Sequence, residues 1–316
     1  MSPWNVLILI IILCLLVAFV CLLRDSLSFD FNKYVIRAIY GKRRDDEDSL
    51  NDDGNYEKIG IESLSNIKNY NEDEQELEFI FFSDLHIETS IVNRKKILDL
   101  AKNQRDTMII FGGDLVSKRR GAKKGLSFLR SLVEINKDRP IIVVRGNHDG
   151  SLNFDDLKET GVIPLNNQSI FISDKKKNIY QITGVDDARV GILDLKSALY
   201  TTSPLSPENF TSVPFTRRIL IAHNPDTVLD NESKNFAFVF SGHFHDGQIR
   251  LPFRLEFKSL RKDKLPKNHI YNGFFVNSST LAYISSGIGT VLFPLRFLTR
   301  AEICQFKILK YQDTNN

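Results

Sequence analysis

The chain has 316 residues and 42% hydrophobic content, enough for one sizeable core and too little for several large domains. Its 42 basic and 39 acidic side chains leave a formal charge of +3, which excludes a general electrostatic case for nucleic-acid binding. Three cysteines make no disulfide framework, and two of them, Cys14 and Cys21, sit in an apolar N-terminal run.

That run, residues 6–23, reads VLILIIILCLLVAFVCLL. At about 1.5 Å per residue it approaches the ~30 Å hydrocarbon core of a bilayer, and it predicts a single transmembrane helix. A cleaved signal peptide is the alternative, but MSPWN carries no Lys or Arg and no small-x-small site precedes Arg24. Arg24, Lys33, Arg37, Lys42, Arg43 and Arg44 all follow the span and no basic residue precedes it. This asymmetry predicts a single-pass protein of the cytoplasmic (inner) membrane with its body on the cytoplasmic side.

Residues 24–44 are read as a basic juxtamembrane segment. Within it, residues 27–40 mix Phe29, Phe31, Tyr34, Val35, Ile36 and Tyr40 with basic side chains, as a helix on an anionic leaflet or an amphipathic packing helix does. Residues 45–77 turn acidic and Asn-rich and are read as a flexible linker. Residues 78–310 form the expected catalytic domain.

In that domain short β-rich runs each break off at a polar cluster. Residues 78–82 lead into Ser83-Asp84-Leu85-His86, residues 108–111 into Gly112-Gly113-Asp114, and residues 141–144 into Arg145-Gly146-Asn147-His148-Asp149. Further on, 219–222 lead into His223-Asn224-Pro225-Asp226, and 236–240 into Ser241-Gly242-His243-Phe244-His245. Helical patterns at 92–102 and 124–135 separate the first three runs, so the first half reads as βαβαβ with a buried sheet. Sites in such folds form beyond the carboxyl ends of strands, where all five clusters lie. In an extended strand, residues two apart share a face, which predicts that Asp84 and His86, and likewise His243 and His245, aim together.

Carboxylates, imidazoles and one carboxamide form a ligand set suited to Mn, Fe or Zn, and no thiolates accompany them. Two such ions sharing a carboxylate serve in-line displacement at phosphorus. Taken singly, D-x-H, G-G-D and H-x-H are common and usually mean nothing, whereas G-N-H-D is more specific. Their joint order carries the argument. Five of the six histidines fall in these clusters, while His269 stands outside and is read as structural or surface.

The ordered set D-x-H, G-D, G-N-H-D, H and G-H-x-H resembles the calcineurin-like metallophosphoesterases. The resemblance implies an α/β fold of four layers, α/β/β/α, here preceded by the transmembrane helix. It implies two divalent metal ions, with Mn the leading choice. One would take Asp84, His86 and His245, the other Asn147, His223 and His243, with Asp114 bridging. His148 would then be the catalytic non-ligand that stabilises the transition state or protonates the leaving oxygen, with Asp149 orienting its ring.

IAHNPD, SGHFHDGQIRLP and SSGIGTVLFPLRFLTRAEI resemble a membrane-associated bacterial branch, the YkuE and YaeI type, which includes the LpxG-type pyrophosphatase of lipid A synthesis. Asp246 departs from the branch pattern, where glycine is common, and an acid there would alter substrate charge preference. The resemblance implies hydrolysis of the pyrophosphate of UDP-2,3-diacylglucosamine to the lipid monophosphate and UMP. On this reading Asn147 and Arg296 contact substrate: the apolar loop 291–298 meets acyl chains while Arg296 pairs a phosphate, the alternative being that Val291, Leu292, Phe293 and Phe297 simply cover the sheet. Arg145 and Arg189 are weaker phosphate candidates. The expected partners are a lipid or nucleotide-lipid substrate and the membrane, with no nucleic acid and no obligate protein partner. The alternatives are a broad phosphodiesterase of other lipid or envelope substrates and a non-enzymatic, metal-stabilised membrane scaffold.

Overall fold

The computed structural model describes residues 2–40, 60–63, 75–104, 107–174, 176–204 and 213–313. Helix α1, Pro3–Leu27, is capped by Ser2, which accepts from the Asn5 amide, and carries proline in its first turn. Its apolar stretch has a mean hydropathy of 3.7 and is not buried by any of the described residues, so α1 is a candidate membrane span. Only Asp25 and Ser26, in its last turn, are buried against the body.

The segment read as a helix, on the leaflet or packed against the body, is instead a strand. β1, Phe29–Tyr40, pairs in parallel with β13, Ala301–Asp313, and antiparallel with β2, Gly60–Ser63. The reason is its period-two pattern. Phe29 and Phe31 pack toward one face of the sheet, and Tyr34 and Ile36 toward the other. The chain ahead of residue 78 therefore supplies sheet, including the start of β3, Gln75–Phe82. The remainder of the expected linker lies outside the described residues.

From β3 onward the elements are α2 (Arg94–Asn103), β4 (Met108–Phe111), α3 (Ala122–Ile135), β5 (Ile141–Val143), α4 (Phe154–Lys158) and β6 (Ile163–Pro164). The second half holds β7 (Gln168–Ser173), β8 (Ile179–Gly184), α5 (Leu195–Tyr200), β9 (Arg218–Ile221), β10 (Phe238–Ser241), α6 (Leu255–Leu260), β11 (Gly273–Asn277) and β12 (Thr280–Ile284). They make two sheets, ordered β2-β1-β13-β3-β4-β5-β6 and β11-β12-β10-β9-β8-β7.

Alternation along each strand builds the layers. Phe79 and Phe81 meet Ile219, Ile221, Phe238 and Phe240 between the sheets, while Ile80 and Phe82 face Phe128, Leu129 and Leu132 of α3. On the far side Leu220 and Val239 pack with Leu195 and Ala198 of α5 and with Phe257 of α6. The result is the α/β/β/α sandwich. β3, β4 and β5 run parallel to one another, as do β9 and β10, while β13 pairs antiparallel on the other side of β3, and the five polar clusters follow the carboxyl ends of these five strands.

Candidate dinuclear metal centre

Three of the five clusters, those after β3, β4 and β10, leave their strands by a turn that few side chains adopt. Asp84, His86, Asp114, His243 and His245 all have positive φ, between 42° and 73°. Non-glycine residues held there store strain, and such strain gathers at functional sites. The pairs Asp84/His86 and His243/His245 therefore do not sit on extended strand: β3 ends at Phe82 and β10 at Ser241. The turns, not strand alternation, aim them, and they send His243 and His245 to two different places.

Two triads result. Asp84, His86 and His245 form one, and Asp114, His223 and His243 the other, with the donor atoms of each within 4.8 Å of one another and all six residues buried. In the first, His86 Nε2 lies 3.1 Å from His245 Nε2, and His245 Nε2 lies 3.2 Å from Asp84 Oδ1. Asp114 links the two: its Oδ2 is 3.5 Å from His86 Nε2 and 3.2 Å from His223 Nε2. A single carboxylate oxygen thus faces a histidine of each triad, which is the disposition a bridging ligand needs.

Neighbouring groups set the histidine tautomers. His223 Nδ1 donates to the Gly112 carbonyl at 2.8 Å, which leaves Nε2 turned toward Asp114. Ser117 Oγ bonds His86 Nδ1 at 3.0 Å. His223 Nε2, His243 Nε2 and Asn147 Oδ1 are buried and have no hydrogen-bond partner among the described residues. Orphaned buried polar atoms are costly in a protein and ordinary in a metal site, so this donor set fits divalent ions of the Mn, Fe or Zn type.

Electrostatics agree with that fit. Burial pushes His86 down to about 3 and also lowers His243 and His245, which keeps these rings neutral and able to donate a lone pair. Burial acts to raise Asp84, but His245, His223 and His86 prevail and hold it well below the usual carboxylate range. His223 is the exception: burial disfavours its charge, yet Asp114 and Asp84 lift it to about 10. Its Nε2 lies 3.2 Å from Asp114 Oδ2 and 4.0 Å from Asp84 Oδ1, the two acids that favour its charged form.

The remaining candidates divide. Asn147 and His148 line the groove over the triads, and the His148 backbone amide donates to Asp114 Oδ1 at 2.8 Å, leaving its ring free toward the groove. The ring meets the His86 ring edge-on at 5.1 Å. Asp149 does not orient it. The Asp149 carboxylate accepts from the amides of Leu115, Val116 and Gly146 at 3.2, 3.1 and 3.0 Å, tying the turn after β4 to the turn after β5. Burial, aided by Asp114, pushes Asp149 up to about 7.

Arg296 does not reach a substrate. It is fully buried, and its guanidinium donates to the carbonyls of Ser286, Gly287, Gly289 and His245. Its donors are spent on the loop that cradles Asp84. Asp246 is likewise withdrawn from substrate, buried and ion-paired with Arg250 and Arg254. Arg145 pairs with Asp186 at 2.6 Å and stacks on Phe154, so its role is structural. His269 is exposed and bonds Tyr271.

The triads open into a groove of about 610 Å³. Its lining includes an apolar stretch, Val291, Leu292 and Phe293, and the basic residues Arg189, Arg261 and Lys262. The sequence reading missed Asp263, whose Oδ1 lies 3.6 Å from His243 Nε2 and which also faces Arg261 and Arg189. No local pattern around Asp263 marks it. Only the return of the chain after α6 brings it to the site.

A family model described as calcineurin-like phosphoesterase matches residues 77–247. The chain belongs to this family of metal-dependent phosphoester hydrolases, whose members bind a dinuclear divalent metal site. Among relatives, the metallophosphoesterase YkoQ of Bacillus subtilis is 26% identical, covering 72% of this chain and 82% of its own length. YkuE of the same organism is 27% identical, covering 73% and 78%, and the phosphodiesterase YaeI of Escherichia coli is 24% identical, covering 73% and 82%.

Proposed function

We propose that this chain is a membrane-anchored phosphodiester or diphosphate hydrolase acting on a lipid, with UDP-2,3-diacylglucosamine as the first substrate to test and the lipid monophosphate and UMP as products. The observation that carries the reading is the groove itself, whose lining combines an apolar stretch and guanidinium groups over two buried ligand triads linked by Asp114. A phosphorylated lipid head matches that combination, because its anionic groups and its acyl stem ask for opposite surroundings.

Asp84, His86 and His245, and Asn147, His223 and His243 with Asp114 between, would hold two ions. Bound there, the ions would polarise the phosphoryl oxygens and lower the pKa of a water. The protein's own part is positional. Arg189 is placed for the substrate's anionic oxygens in the role first expected of Arg296, and Asp263 holds it near Arg261, whose guanidinium already donates to the His243 carbonyl. The His148 ring, which lines the groove and makes no hydrogen bond among the described residues, delivers a proton to the leaving oxygen. Helix α1 crosses the bilayer once, and the basic residues after it favour a cytoplasmic body.

The test is UMP release by the purified full chain with Mn²⁺ from UDP-2,3-diacylglucosamine, beside a soluble aryl phosphodiester. Turnover of the soluble ester alone rejects this substrate and leaves the broader phosphodiesterase. A C-terminal reporter fusion checks the orientation.

A further inference from the structure

The loop 291–298 was expected to meet lipid or to cover the sheet, and in the fold it does not cover the sheet. Leu292 is 80% exposed and Phe293 is 62% exposed. A second segment stands beside it. Gln248 ties the two together, donating through Nε2 to the carbonyls of Phe293 and Leu295 and accepting at Oε1 from the Val291 amide. The Arg250 amide donates to the Phe297 carbonyl and the Phe297 amide to the Gln248 carbonyl. This second segment carries Leu251 and, 84% exposed, Phe253. Leu298 completes the patch.

Three of these five residues, Phe253, Leu292 and Leu298, have φ near +60°. A bulky apolar side chain rarely adopts that conformation, and here it coincides with projection into solvent. Five large apolar groups presented together in this way normally mark an interaction surface.

What meets the surface is indicated by α1. The last turn of the helix is fastened to the same loop: the Arg296 amide donates to Ser26 Oγ at 2.7 Å, and Arg300 reaches the Arg24 carbonyl and Ser28 Oγ, each at 3.2 Å. The apolar run of α1 ends at Leu23, within one helical turn of this fastening. If that run lies in hydrocarbon, the loop sits at the boundary of the same leaflet.

Resting on the reading of α1 as a membrane span, we infer that Leu251, Phe253, Leu292, Phe293 and Leu298 form a second membrane contact that enters the leaflet next to α1. The contact sets the body's tilt, so that the groove opens onto the bilayer surface and not into bulk water. Leu292 and Phe293 belong to both the patch and the groove wall, so a substrate would pass from leaflet to triads along one continuous apolar edge. This identifies the substrate class as lipids whose acyl chains remain in the membrane during reaction.

The test uses the full chain in vesicles of phosphatidylglycerol and acyl-brominated phosphatidylcholine. Trp4, the only tryptophan, is replaced by phenylalanine, and single tryptophans are placed at Leu15, Phe253, Phe293 or Tyr200. Tyr200 is an exposed site on α5, in the outer layer of the second sheet. A ring seated ~5–10 Å into the headgroup and acyl boundary is expected to lose roughly half its emission. The inference predicts quenching at Leu15, Phe253 and Phe293 and none at Tyr200. Quenching at Leu15 with Phe253 and Phe293 as bright as Tyr200 would overturn the second contact while leaving the anchor standing. No quenching at Leu15 would overturn the anchor and this inference with it.

Discussion

Replacing Arg296 separates the two roles that sequence and structure assign to it. In the fold its guanidinium serves four carbonyls, at 2.7 to 3.3 Å, and burial lowers it only to about 10, so it stays charged at neutral pH. Arg296→Met keeps the length and removes every donor. The Gly287 and His245 carbonyls keep a backbone donor, from the amides of Glu302 and Gln248, so Ser286 and Gly289 are the two left without a partner, at about 1–3 kcal/mol each and not independently because they lie on one loop. A net loss of about 4 kcal/mol is a reasonable magnitude. For a body of this size, 1 kcal/mol moves Tm by about 2–4 °C, so the variant should melt about 8–16 °C lower.

Metal content should fall with it, since Gly289 donates to the Asp84 carbonyl at 2.7 Å and the same loop frames the first triad. The assay is thermal melting of the detergent-solubilised full chain alongside metal analysis of the purified protein. Arg296→Lys should fall between the two, because an ammonium reaches fewer of these acceptors. A variant that melts like the parent, retains its metals and shows only a raised KM would refute the structural role and return Arg296 to the substrate.

Further outcomes follow from the site. His148→Ala should lower kcat by about 10²–10⁴-fold while metal content is unchanged, since only the backbone of His148 touches Asp114; unchanged activity would favour the scaffold reading. Asp149→Asn should cost about 1–3 kcal/mol by losing one of its amide partners and should leave the pH–rate profile in place, whereas a shifted profile with normal melting would restore the ring-orienting role. Gly146→Ala puts a Cβ 2.2 Å from Asp114 Oδ1, so metal analysis should show loss of bound ion. In metal-free protein, His223 is raised from its ordinary 6.5 to about 10. Its contribution, on the order of 4–5 kcal/mol, is therefore fully present below pH ~6.5 and lost as pH rises through about 10. Melting in chelator should fall across that window and flatten when Mn²⁺ is restored; a flat profile without metal would contradict the lift that Asp114 and Asp84 give His223.

The residues of the centre were legible because each lies at the end of a short β-rich run, so local pattern alone marks where the chain turns out of the sheet. Asp84, Asp114, Asn147, His148, His223, His243 and His245 all meet at one edge for that reason. Residues 27–40 were misread because aromatic and basic side chains also suit an amphipathic helix, and only the partner β13, some 270 residues later, makes the strand.

Arg296, Asp149, Asp246 and Asp263 show the limit most clearly. A charged side chain near a motif looks the same in sequence whether it faces substrate or backbone, and its direction depends on which carbonyls and charges the fold brings within about 3 Å. The sequence by itself determined the ligand types, their order and the apolar N-terminal helix. Tertiary structure alone decided which acids and guanidiniums are spent on the protein and which remain for substrate, because that depends on contacts between segments far apart in the chain.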